Sequence, residues 1–532
     1  MTARLALATL LAVAALPGAA VAAPTVDLRT TPSFEIVGAH PQDFAGEAVA
    51  SAGDVNGDGI DDVLIAAPSA NGPEGAYSGA VYVVFGRRGV PALPRAQIAA
   101  DGGADTQGFR IDGPAADGHA GTSVASVGDV NGDGLDDVIV GVPDDGPDVP
   151  RSNGIGGVYV HAGAAYVVFG KKDGTAVDLA HLGDQGVEIA GAPAGRVQLG
   201  TQVAGGRDVN GDGHPDVVVS DMTVPYPLVR APKIPPRDRS SAYVIFGGAL
   251  RGGQVLHVDR LGGAGYRIDA HFLGTLSLAA DMNGDHRAEV VVGEEDGSYG
   301  NRNVAYVAFG RAGTKTMVLE QLGAHGGFAI RNDRKYSEQP RIVGGDDVNG
   351  DGRGDLVAAT YTLRGKRSYA GVAEVLFGGP SGRLRHLERP GQQVLRAIGP
   401  TVPMVDNGRH RNRYILGPNP LRDVAIVPDA DGDGRADVLA GGFASPHDRF
   451  GAGSAFLFRA PRAGTTELTA KRAPGVVRID GAYADDSFGS TVAPAGDFDG
   501  DHRPDLLIGG FEATRNGRPN AGVAWVLSGV RP

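Results

Sequence analysis

A nine-residue loop with oxygen-bearing side chains at positions 1, 3, 5 and 9 recurs seven times along this chain. The first copy places Asp54, Asn56, Asp58 and Asp62 there, the second Asp129, Asn131, Asp133 and Asp137, and the third Asp208, Asn210, Asp212 and Asp216. The fourth has Asp281, Asn283, Asp285 and Glu289, and the fifth Asp347, Asn349, Asp351 and Asp355. The sixth and seventh carry a carboxylate at all four positions: Asp429, Asp431, Asp433 and Asp437, then Asp497, Asp499, Asp501 and Asp505. Oxygens at alternate positions of a short loop suit a hard cation, and calcium takes six to eight of them in loose geometry. Position 7 varies (Ile60, Leu135, His214, Arg287, Arg353, Arg435, Arg503), as expected where only a backbone carbonyl serves. Glycine at position 6 supplies the positive φ that wraps the loop. His286 and His502 replace it in loops 4 and 7, which are expected to bind more weakly or to sit strained.

A single Asp/Asn/Gly-rich turn needs no metal; seven copies with the same carboxylates argue for ligation. The loops are not EF-hands. The first has Ile65 where an EF-hand needs glutamate, and the flanks Val63-Leu64-Ile65 and Val138-Ile139-Val140 read as strands. Seven Ca²⁺ ions would carry the formal charge of −13 to about +1. The expectation is up to seven structural calcium ions, with folding coupled to their binding.

The loop starts lie 75, 79, 73, 66, 82 and 68 residues apart. Each repeat adds four strand signals. One is an alternating strand such as Phe109-Arg-Ile-Asp112, and one a small-residue strand into the loop such as Gly121 to Ser126. The others are a valine-rich strand out of it and an aromatic strand such as Ala80 to Gly86. Four short strands per repeat describe a propeller blade, whose two apolar faces are covered by stacking around an axis. The reading is all-β: a seven-bladed β-propeller of four-stranded blades, closed by the N-terminal strand Phe34 to Val37. The repeats run approximately 34–108, 109–186, 187–265, 266–327, 328–393, 394–476 and 477–532. A solenoid would need polar capping repeats, which the sequence lacks.

Arg4, the apolar run Leu5 to Leu16 and Ala20-Val21-Ala22 read as a secretory signal peptide over 1–22, cut after Ala22. The single propeller domain then fills 23–532. No later stretch is apolar enough for a membrane span, so a secreted or surface-held protein is expected. Zero cysteines exclude disulfides, thiol nucleophiles and Cys-ligated zinc. Net acidity with dispersed basic residues argues against a nucleic-acid partner.

Phe44-Ala45-Gly46, Ala67-Pro68 and the Gly-Asp-Val-Asn-Gly-Asp-Gly between them resemble the FG-GAP repeat of integrin α-subunit N-terminal β-propellers. The Phe-Gly half recurs as Phe488-Gly489 and, loosened, as Leu199-Gly200 and Leu273-Gly274. The resemblance covers about 34–529. It implies a seven-bladed propeller with calcium in the loops of one face. Integrins carry such loops in only some blades, and their ligand binding needs a partner subunit and leg domains, so that function is not expected to transfer. A GPI-specific phospholipase D has a similar propeller behind a His-rich catalytic domain. Only 33 residues precede Phe34, so no such domain is expected here.

Arg353-Gly354-Asp355 spells the adhesion tripeptide, but Asp355 is committed to the fifth loop. His119, His161 and His271 carry no spacing signature and read as surface or satisfied histidines. Insertions at 144–162, 222–240 and 400–421 read first as solvated connections. The leading expectation is an extracellular binding or adhesion scaffold without catalytic residues. It would be a monomer whose partner is an extracellular protein or glycan. The alternatives are a polysaccharide lyase or hydrolase, using Arg409, His410, Arg411 and Tyr414, or a propeller lectin.

Overall fold

The computed structural model describes residues 25–531 apart from 32, 90–95, 98–106, 147–148, 151–158, 193–197, 222–239, 249, 271–272, 295–302, 324, 332–340, 364–367, 380–384, 387–393, 404–420, 443–450, 460–463 and 468–474. The expected signal peptide, His271, Arg409, His410, Arg411 and Tyr414 lie outside the described residues.

The strands leaving the acidic loops set the architecture. Asp62–Ala67 is buried at every residue. Side chains alternate across a strand, so Leu64 and Ala66 pack toward one neighbouring sheet while Val63 and Ile65 pack toward the other. A sheet that is apolar on both faces has to be covered on both. Seven sheets arranged as a ring achieve this, and each junction between neighbours holds one apolar cluster. The fold is a seven-bladed β-propeller, as the repeats imply. Among the described residues, helix is limited to three-residue 3-10 turns such as Leu179–His181, and no helix is long and apolar enough to cross a membrane.

Blade 1 runs Ala48–Gly53, Asp62–Ala67, Ala80–Val84 and Gly108–Asp112, all antiparallel. The other blades repeat this order. Beyond the four expected strands every blade carries a short fifth strand, parallel to the fourth. In blade 1 it is Val177–Asp178, which comes from the connection between the third and fourth strands of blade 2.

Closure follows from that pattern. Phe34–Val37 pairs with Val523–Leu527 and supplies the fourth strand of blade 7, as expected. Thr25–Asp27 pairs with Val476–Asp480 and supplies the fifth strand of blade 6. The ring is therefore shut twice by the N-terminal segment. Trp525, the only tryptophan, is fully buried at the seam, where its Nε1 donates to Glu35 at 3.2 Å.

Candidate metal centres

Each acidic loop joins the first strand of its blade to the second, so all seven lie on one face of the ring. The position-1 aspartate organises the turn. Asp54 accepts the N–H groups of Gly57, Asp58 and Gly59 at 2.7, 3.0 and 2.8 Å. Asp129, Asp208, Asp281 and Asp347 do the same. The position-9 carboxylate opens the second strand and points back under the loop. Asp62 takes the Val55 N–H at 3.0 Å and the Gly86 N–H at 2.8 Å. Asp137, Asp216 and Asp355 repeat both contacts, and Glu289 keeps the first with Met282.

These position-9 groups are buried among like charges. Burial first, then the Asp54 and Asp58 charges, push Asp62 up to about 8. Glu289 also rises to about 8. Asp137, Asp355, Asp437 and Asp505 rise to about 7, and Asp216 to about 6. A divalent cation would reverse that penalty by supplying the missing positive charge.

The donor set fits such an ion. Carboxylate oxygens of Asp281, Asp285 and Glu289 lie within 4.8 Å of one another, as do those of Asp429, Asp431 and Asp433, and of Asp497, Asp499 and Asp501. Asp429 Oδ1, Asp437 Oδ2, Asp497 Oδ1 and Asp505 Oδ1 are buried without hydrogen-bond partners. In loops 2 to 5 the asparagine turns its amide nitrogen onto a carboxylate: Asn131 on Asp133 at 3.0 Å, Asn210 on Asp212 at 2.9 Å, Asn283 on Glu289 at 2.8 Å and Asn349 on Asp351 at 3.2 Å. Turning that amide over presents an oxygen instead. His286 and His502 sit at φ +66° and +67°, the left-handed strain expected of them.

The loops also stitch the ring. The N–H at position 8 donates to the position-1 carbonyl of the preceding loop: Asp61 to Asp497 at 3.3 Å, Asp136 to Asp54 at 3.1 Å, and Ala288 to Asp208 at 2.8 Å. Gly354 reaches Asp281 at 3.0 Å and Ala436 reaches Asp347 at 2.9 Å. Pro215 and Pro504 take that position in loops 3 and 7, and proline has no N–H to give.

The opposite face has a different fastener. Four isolated parallel bridges join neighbouring blades: Ala45 with Gly522, Ala120 with Gly79, Leu199 with Gly163 and Phe488 with Gly453. A Cβ on Gly79 would lie 2.3 Å from the Ala120 backbone, and one on Gly522 would lie 2.1 Å from the Ala45 oxygen. Both glycines are also at positive φ, +82° and +78°. Only glycine allows this approach. Ala45, Ala120, Leu199 and Phe488 are thus equivalent, which places Ala45 and not Phe44 in the structural place of Phe488. Leu273 begins the first strand of blade 4, and among the described residues no such bridge joins it to blade 3.

The same face carries a cavity of about 740 Å³ on blade 7. Its walls include Tyr483, Asp485, Asp486, Glu512, Arg515 and Asn516. Arg515 is 4% exposed, holds Asp486 through bonds of 2.9 and 2.6 Å, and stacks 4.5 Å from the half-exposed Tyr483 ring. Sequence reasoning missed this site because its residues come from two separate connections.

The remaining sequence candidates are structural. Asp355 of the Arg-Gly-Asp tripeptide is fully buried. His119 pairs with Asp144 at 3.2 Å, and His161 bonds the Gly146 carbonyl at 3.0 Å. His181, Asp178 and Glu74 form an exposed group in which His181 meets Asp178 at 2.8 Å.

Four stretches match the family described as FG-GAP repeat: residues 45–84, 120–168, 199–221 and 488–527. Each matched stretch begins at a bridge residue of the face opposite the acidic loops. Integrin alpha-PS2 of Drosophila melanogaster is 32% identical over 190 residues, 35% of this chain and 12% of that protein. Integrin alpha-6 of Gallus gallus is 28% identical over 187 residues, 34% of this chain and 14% of its own length. Phosphatidylinositol-glycan-specific phospholipase D of Bos taurus is 30% identical over 185 residues, 35% of this chain and 19% of the enzyme. The chain therefore spans less than a fifth of the length of these relatives, and the likeness is to a part of each.

Proposed function

We propose that this protein is an exported, calcium-stabilised propeller that acts as an extracellular adhesion or binding scaffold. The observation that carries the reading is the FG-GAP clasp together with the likeness to integrin alpha subunits, which at the family level fits an extracellular adhesion scaffold. In this reading the segment 1–22 is a cleaved signal peptide and 23–532 is one domain. Positions 1, 3, 5 and 9 of the acidic loops are the ligands of up to seven calcium ions. The ion supplies positive charge to buried carboxylates and does no chemistry on a substrate. Position 1 closes the turn, position 9 anchors the loop to the second strand, and positions 3 and 5 complete the oxygen set.

The ligand face is then the one opposite the loops. Carboxylates, an amide, a buried arginine and an exposed tyrosine ring converge there around the blade 7 cavity. A largely preformed concavity with convergent polar groups is the default place for a ligand. The protein carries no catalytic residues in this reading, and its partner is an extracellular protein or glycan. The test immobilises calcium-loaded protein and offers matrix proteins and acidic and neutral polysaccharides, reading binding and chain cleavage together. Binding that is lost in Tyr483→Ala and Glu512→Gln, at unchanged melting temperature, supports the reading. Binding that survives both variants sinks the cavity assignment, and cleavage of a polymer sinks the non-enzymatic one.

A further inference from the structure

The sixth loop differs from its six counterparts in what faces its carboxylates. Arg459 follows the third strand of blade 6, and its N–H bonds the Gly475 carbonyl at 2.9 Å. Phe85, Phe169, Phe246 and Phe309 make the same backbone bond in blades 1 to 4, at 2.8, 2.9, 2.8 and 3.0 Å. Arg459 thus stands where those blades have phenylalanine. Its Nη2 lies 2.5 Å from Asp431 and 3.1 Å from Asp433, positions 3 and 5 of the loop. Arg435, at position 7, reaches Asp433 at 2.5 Å from the other side. Among the described residues no ion pair joins Arg287, Arg353 or Arg503, the arginines at position 7 of loops 4, 5 and 7, to a loop carboxylate.

Loop 7 is the matched control. It shares the fourth carboxylate, Asp499, and the unpartnered buried oxygens on its first and ninth residues. At the place of Arg459 it has Ser528. Two loops of the same formal charge therefore meet it in different ways. One draws on two guanidiniums of its own chain, while the other has one histidine, His502, 3.6 Å from Asp497.

Resting on the reading of the loops as calcium sites, we infer that Arg459 and Arg435 neutralise positions 3 and 5 of loop 6 and that this loop does not take a calcium ion, so the chain binds six ions and not seven. A guanidinium held by positions 3 and 5 engages oxygens that an ion would need, and it must let go before they can serve one. Its planar fork holds two carboxylates at once, which a hydrated ammonium does less well. The extra aspartate at position 3, which by itself suggests a stronger site, here balances the second arginine.

Calorimetric titration of the chelator-stripped full chain with calcium decides it. Wild type should take up six ions. Asp501→Ala in loop 7 should remove one, Asp433→Ala in loop 6 should leave the number unchanged, and Arg459→Phe should add one. A count that falls with Asp433→Ala, or that stays put with Arg459→Phe, overturns the inference while leaving the calcium loops intact. No uptake by wild type overturns the calcium reading itself. Arg459→Gln, which keeps a polar side chain at the surface, repeats the gain-of-site test if the phenylalanine variant does not fold.

Discussion

Blades 7, 1 and 2 and blades 4 and 5 belong to the same ring but are fastened differently. The junctions 6/7, 7/1, 1/2 and 2/3 each have a backbone clasp on the face opposite the acidic loops. Among the described residues, 3/4, 4/5 and 5/6 have none, and these three junctions show the short loop-side bonds at 2.8, 3.0 and 2.9 Å. The junctions 2/3 and 6/7, where proline removes the loop-side bond, are both clasped. Side-chain ion pairs add to the unclasped arc: Arg341 meets Asp423 across 5/6 at 2.6 Å, and Arg207 meets Asp346 between blades 3 and 5 at 2.6 Å. Every junction has at least one fastener, and three of the seven depend on the loop face. Stability here is local: contacts at one junction do little for a distant one, as in other repeat folds.

The sharpest way to separate the two arcs is to remove calcium. The loop face should loosen first, so blades 4 and 5, which have no clasp, should lose protection before blades 7, 1 and 2. The whole protein should melt markedly lower in chelator, since each site kept at a hundred times its Kd contributes roughly 2.7 kcal/mol. Hydrogen exchange followed by mass spectrometry checks the order; uniform loss, or loss beginning at blade 7, would contradict the two-arc picture.

Breaking a clasp should come next in size. Gly79→Ala forces a Cβ to 2.3 Å from the Ala120 backbone at a φ of +82°. The expected cost is about 3 kcal/mol, measured by denaturant titration. Gly522→Ala should cost a similar amount and should also change the fluorescence of Trp525 at the seam. A loss under about 1 kcal/mol in both would show that the clasps carry little load.

The loop-side bond can be removed with the substitution the chain already uses twice. Ala288→Pro at 3/4 deletes the N–H that reaches Asp208 and leaves a junction with no clasp behind it. It should destabilise by about 1–2 kcal/mol. Pro215→Ala at 2/3 should change stability by less than about 0.5 kcal/mol, because a clasp is already there. Equal effects in thermal melts would remove the asymmetry.

The smallest effect concerns junction 3/4, where Ser240 replaces the clasp glycine beside a buried carboxylate. Asp221 accepts the Ser241 N–H at 2.7 Å and the Tyr243 hydroxyl at 3.0 Å. Burial pushes it up to about 7. A carboxyl raised by folding from its unfolded value near 4 weakens the fold as pH rises from about 4 through 7, and does no harm below that window. Asp221→Asn should therefore stabilise by about 1 kcal/mol at pH 8 and change nothing at pH 4. Melting curves of both proteins at the two pH values decide the sign.

Much of this was readable from residues alone. The loop repeat, the alternating strands and the closing segment Phe34 to Val37 all obey local rules of period and turn chemistry. The fifth strands escaped because two-residue pieces such as Val177–Asp178 and Ala96–Gln97 have no period to detect. Thr25–Asp27 escaped for the same reason. The phenylalanine of Phe44-Ala45-Gly46 pointed one residue away from the true bridge, because the bridge is made by backbone and is indifferent to the side chain. Arg459 looked like any exposed arginine 28 residues after Asp431.

What the sequence determined by itself is what repetition and local chemistry can specify: seven blades, a ring closed by its own N-terminus, and seven acidic turns on one face. The tertiary structure decided which neighbours those turns have. It set clasps at four junctions, left three to the loop face, gathered the blade 7 cavity from two distant connections and brought Arg459 onto the sixth loop. The physical reason is the same in each case. These features depend on distances between blades, which no single repeat encodes and only the closed ring sets.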